Sequence, residues 1–168
     1  MDLDPFLHLH GIPLRCHAHP AVMPCAQADL LVPNLPGVRA KNLFLHARKP
    51  QRHPRVTVPP DRTVDPTRLG EHLGVGRLGL ASPDRLANHL DESPGSVRLL
   101  ALFNNEAHAV DFVIDCGLWD ANARRAHPQV ITATAVVTDG DLVRFLAAVG
   151  HTPRVVDVPF RILEEVRA

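Results

Sequence analysis

Only two of the 18 cationic side chains are lysine, Lys41 and Lys49; all the others are arginine. Lys41 stands with Asn42 at the head of the apolar run Leu43-Phe44-Leu45. Taken alone, a lysine at a strand end is solvated and has no chemical role. The alternative is a catalytic role for its compact ammonium. Pro94-Gly95-Ser96 is a turn signal, and such turns can aim backbone N–H groups at an anion or carbonyl. His127 precedes a proline, as structural and solvated histidines often do. Thr132 and Thr134 share one face of a strand or express only β propensity.

Other constellations carry less. His8/His10 and His17/His19 have alternating spacing, but no third ligand joins them in a recognised pattern, so no metal is expected. Cys16, Cys25 and Cys116 are odd in number, widely spaced and contain no Cys-x-x-Cys, so neither a disulfide framework nor a thiolate zinc site is indicated and a reducing cytoplasm fits. The six phenylalanines read as core, not as a base-stacking platform.

The elements that must position these residues follow from turn signals and periodicity. Residues 4–10 are expected to form a helix ended at Gly11, 14–17 a strand, and 25–32 a helix stopped by Pro33. The run 38–45 reads as a strand buried on both faces, with 56–58 returning beside it. Asp65 and Ser82 are expected to cap two helices. Residues 98–104 and 109–115 read as a strand pair joined by a polar turn, 130–137 as a β-branched strand, and 139–149 as a helix stopped by Gly150. Hairpins mixed with helices indicate α+β, not a doubly wound sheet.

With 168 residues the chain makes one domain, residues 1–168, burying roughly 70% of its unfolded surface. The 18 cations cancel the 18 acids, which excludes a polycation binding nucleic acid through bulk charge. No apolar run is long enough for a membrane helix, and the acidic start is unlike a signal peptide, so a cytoplasmic protein is expected. The zero total hides an uneven distribution: between Asp29 and Asp61 there is no acid, while Arg39, Lys41, Arg48, Lys49, Arg52 and Arg55 are all positive. That segment is either a solvated basic hairpin tip or a phosphate-contacting patch.

Several pieces in register resemble the YbaK/ProX family of aminoacyl-tRNA editing domains. Lys41-Asn42-Leu43-Phe44-Leu45 is similar to its Lys-Asn-Leu-Phe-Leu strand, His19-Pro20-Ala21-Val22 to its early His-Pro-x-Val, and Gly76 through Pro83 to its Gly-Arg-Leu-Ser-Phe-Ala-Ser-Pro. Ser93 through Val97 resembles its Thr-Pro-Gly-Ser-Val loop. His127-Pro128 with Thr132-Ala133-Thr134 resembles its His-Pro segment, and 141–146 its late helix. The resemblance spans about residues 10–158. The sequence departs from the pattern at Leu99 and Ile131, and in the strand after the basic loop, which Pro54, Pro59 and Pro60 interrupt.

The resemblance implies a single α+β domain with a mixed, mostly antiparallel β-sheet or barrel flanked by helices. It further implies a trans-acting aminoacyl-tRNA deacylase that hydrolyses the ester of mischarged tRNA(Pro), in the first place Ala-tRNA(Pro). The alternatives are a Cys-tRNA(Pro) or Ser/Thr-tRNA deacylase, or a non-catalytic paralogue that binds tRNA or a synthetase. Lys41 is then the catalytic residue, and Asn42, Gly95, Ser96, His127 and Thr132 contact the substrate. Arg39, Arg48, Lys49 and Arg52 contact tRNA. The partners are the tRNA acceptor end and prolyl-tRNA synthetase, with no cofactor. An aminoacyl ester is activated and carries a vicinal hydroxyl, so neither a Ser-His-Asp arrangement nor a metal is required.

Overall fold

A computed structural model of the chain describes residues 3–19, 35–47, 51–105, 107–126 and 133–161. Its strands form two mixed sheets flanked by helices. In the first, β1 (Arg15–Ala18), β8 (Ala133–Thr138), β7 (Ala123–Ala126) and β2 (Val38–Arg39) lie in that order. In the second the order is β5 (Leu78–Leu80), β3 (Lys41–Ala47), β4 (His53–Val58), β6 (Val110–Asp115) and β9 (Arg154–Val156). Antiparallel pairs join β1 to β8, β8 to β7, β3 to β4 and β3 to β5; β2–β7, β4–β6 and β6–β9 are parallel.

The helices begin where the sequence places caps. The Asp65 carboxylate accepts from the Thr67 and Arg68 N–H groups, with Pro66 at the first position of α2 (Pro66–Leu73). Ser82 caps α3 (Pro83–Leu90) in the same manner, and Thr138 caps α5 (Asp139–Ala148). A helix also covers Leu3–Leu9 (α1), and one turn (α4, Cys116–Trp119) follows β6.

β4 is the centre of the second sheet and is buried along its whole length. On one face Val56 and Val58 pack with Leu45, Val113 and the Leu69 and Leu73 side chains of α2. The other face meets Leu86 and Leu90 of α3 and the Leu99–Asn104 segment, where Phe44, Phe112 and Ile114 complete a second cluster. Each fully buried side chain of this size contributes about 1.5–3 kcal/mol.

Three expectations need correction. Residues 99–104 form a 3-10 helix, not a strand. The expected partner, β6, already has β4 on one edge and β9 on the other, so no edge is left for a hairpin. The run 38–45 is broken at Ala40 into β2 and β3, which belong to different sheets. Arg55, counted with the basic surface segment, is fully buried. The proline interruption of β4 takes a definite form: pairing with β3 holds from Lys41↔Val58 to Phe44↔Arg55, lapses opposite Pro54, which has no N–H to donate, and resumes at Ala47↔Arg52. The expected helix at 25–32 and residues 130–132 of the expected strand lie outside the described residues.

Candidate active site

A cavity of about 410 Å³ opens between the two sheets, a volume in the ordinary range for small-molecule sites. β3 supplies Lys41, Asn42 and Phe44; the connection to the 3-10 helix supplies Gly95, Val97, Arg98 and Leu99; β7 and β8 close the far side with Arg125, Ala126 and Thr134. Arg39, Lys41, Arg98 and Arg125 make four cations on the wall, with no acid among the described lining residues. The rest of the wall is mainly apolar, including Leu43, Leu80 and Leu86.

Lys41 is the first residue of β3 and is half-buried. Its Nζ donates to the Pro60 carbonyl oxygen at 3.0 Å, so the diproline turn after β4 fixes the ammonium at the cavity wall and leaves its remaining N–H groups for another acceptor. Asn42 is committed on both ends of its amide. Nδ2 donates to the Val97 carbonyl at 3.1 Å, and Oδ1 accepts from Thr57 Oγ1 at 2.8 Å and from an Arg55 terminal nitrogen at 3.1 Å.

Gly95 turns the loop with φ of 83°, a left-handed conformation that suits glycine. Ser96 does not line the cavity: its N–H and its hydroxyl both donate to the Ser93 carbonyl, at 3.1 and 2.9 Å. Thr134 reaches the wall from β8, its Oγ1 3.0 Å from His19 Nε2, which ties the end of β1 to the cavity. Behind the loop, Arg98 Nε donates to the buried Glu92 carboxylate at 2.5 Å. Burial pushes the Glu92 pKa up, and Arg98 opposes that shift.

Residues 19–145 match the family model described as the aminoacyl-tRNA editing domain. The chain belongs to this YbaK/ProX-type family. The editing domain is 35% identical over 154 residues to zebrafish (Danio rerio) prolyl-tRNA synthetase associated domain-containing protein 1, covering 90% of this chain and 83% of the relative. It is 31% identical over 118 residues to the prolyl-tRNA editing protein ProX of Acetoanaerobium sticklandii, covering 70% and 72% of the two chains. A crystal structure described as a candidate trans-editing enzyme for prolyl tRNA synthetase shares the fold, with a TM-score of 0.68 and 20% identity over 94% of both chains.

The editing domain thus brings Arg39, Lys41, Asn42 and Gly95 to one cavity and keeps Ser96 outside its wall. Arg52 lies at the other end of the β3–β4 hairpin, about 20 Å along the strands from Lys41, where its guanidinium forms an ion pair with Asp111, with Nε at 2.8 Å. His127, Thr132, Arg48 and Lys49 lie outside the described residues. Sequence reasoning missed Arg98 and Arg125 in the wall and Pro60 as the anchor of Lys41; alternation along a strand would have paired Arg125 with the opposite face from Arg124, which is fully buried.

Among the described residues, one group has metal-ligating spacing, Asp115, Cys116 and Asp157. The Asp115 oxygens already accept from the Gly117 and Val158 N–H groups, which makes this carboxylate the cap of α4 and a tie to the segment after β9.

Proposed function

We propose that the domain is a trans-acting deacylase that hydrolyses the ester of mischarged tRNA(Pro), with Ala-tRNA(Pro) as its first substrate. The observation that carries this reading is the cavity itself, in which Lys41 stands beside an apolar wall and among three arginines. The cations suit the phosphates of the acceptor end, and the apolar wall suits the terminal base and a small acyl side chain. Lys41 offsets the negative charge that develops on the ester as water adds to it, while the ribose hydroxyl next to the ester helps to activate that water. Prolyl-tRNA synthetase is the partner that produces the substrate.

A pocket built for proline gains only about 1–3 kcal/mol against an amino acid one methylene smaller. A second site that admits the small ester and excludes the ring supplies the missing discrimination.

The test is hydrolysis of Ala-, Cys-, Ser- and Thr-tRNA(Pro) by the wild type and by Lys41→Ala. The expected result is fastest turnover of the alanyl ester, with a loss of about 10²–10³ in kcat/KM in the variant and an unchanged far-UV spectrum. Undiminished hydrolysis by Lys41→Ala overturns the role of the lysine. Binding of tRNA without turnover of any ester selects the non-catalytic reading.

A further inference from the structure

Among the described residues Arg55 and Arg124 are the largest side chains buried completely, and no described carboxylate is hydrogen-bonded to Arg55. The carboxylate that faces it, Glu92, is held by Arg98. The Arg55 Nε and one terminal nitrogen have no hydrogen-bond partner among the described residues, and the guanidinium carbon lies 4.7 Å from the centre of the Phe112 ring. Burial lowers its pKa to about 9, with Glu92 opposing, so the group stays cationic at neutral pH. A buried cation of this kind is a poor stabiliser, since an apolar side chain of equal volume is commonly tolerated as well or better.

Its bonded nitrogen points to a different use. It donates to Asn42 Oδ1 at 3.1 Å and to the Arg98 carbonyl at 3.0 Å, while Asn42 Nδ2 holds the preceding carbonyl, that of Val97, at 3.1 Å. Two consecutive carbonyls of the cavity loop are thereby fixed to β3 and β4. We infer that Arg55 is a positioning residue for ester hydrolysis: through Asn42 it holds the Gly95–Leu99 wall in register with Lys41. This inference rests on the deacylase reading, and exchange of the loop amides tests it separately from turnover.

In Arg55→Met, amide hydrogen exchange over 96–99 is expected to rise about tenfold or more. The kcat on mischarged tRNA(Pro) should fall about 10- to 100-fold, with KM within about twofold, since the loop orients the ester and does not grip the tRNA body. If Arg55→Met does not fold, Thr57→Val, which removes the other donor to Asn42 Oδ1, is expected to show the same split at smaller size. Wild-type exchange or wild-type kcat in the folded Arg55→Met, or in Thr57→Val when that variant stands in, overturns the inference. A wild type without turnover overturns the deacylase reading instead, and the exchange measurement then decides alone whether Arg55 holds the loop.

Discussion

Lys41 and Ser96 both belong to motifs that the family resemblance marks as functional, yet their surroundings differ. The Lys41 ammonium faces the cavity with one N–H anchored on Pro60, whereas the Ser96 hydroxyl and N–H are folded back on Ser93. Ser96→Ala is therefore expected to keep kcat/KM within about threefold of wild type, the scale of an ordinary surface change, measured in the same deacylation assay that reads Lys41→Ala. A tenfold loss would show that the loop rearranges to bring the hydroxyl to the substrate. Motif resemblance makes Lys41, Asn42 and Gly95 legible in the sequence as neighbours, and all three line the cavity. Arg55 was not legible, because His53, Arg55 and Thr57 alternate with apolar residues as the solvent face of a strand does. Here that face is covered by α3 and the 3-10 helix, so the same alternation marks a buried polar row.

Among the elements, the capped helices were the most legible, since Asp65-Pro66 and Ser82-Pro83 carry their start signals locally. The Leu99–Leu102 run was the least legible: all four residues are buried, and a run buried on every side has no period to distinguish helix from strand. The packing of α2 against the turn before β5 gives an element-level prediction. A Cβ on Gly70 would lie 1.8 Å from the Gly76 carbonyl oxygen, a backbone atom that no rotamer change can move. Gly70→Ala is expected to cost about 3 kcal/mol in urea unfolding, and to weaken hydrolysis in the surviving folded fraction, because β5 carries Leu80 to the cavity wall. A variant as stable as wild type would show that α2 can shift along the sheet without disturbing β5.

At the level of the whole molecule, histidine sets the expected dependence on pH. His53 is buried beneath α3, its ring 5.2 Å from that of His46 and 4.2 Å from that of His89, with an Arg85 terminal nitrogen 3.2 Å from Nε2. Burial first, then the two imidazoles and Arg85, lowers its pKa to about 4, against a hydrogen bond with the Ala109 backbone that favours the charged form. The unfolded chain takes up this proton near 6.5 and the folded chain resists it, so the stabilising contribution is complete above that pH. It is lost as pH falls toward 4, by roughly 3 kcal/mol in all. Urea midpoints at pH 7.5, 6 and 5 should fall in that order, and His53→Leu should flatten the trend; an unchanged slope in the variant would assign it to other groups. The assembly of the molecule around its cavity has a mechanical consequence as well. Ala40 is the one residue between β2 in the first sheet and Lys41 at the start of β3 in the second. At this crossing the two jaws of the cavity are joined through a single residue next to the ammonium, so a movement that spreads them here also moves Lys41. On the proposed deacylase reading, a bulky ester that forces the cavity open at this crossing also takes Lys41 out of alignment.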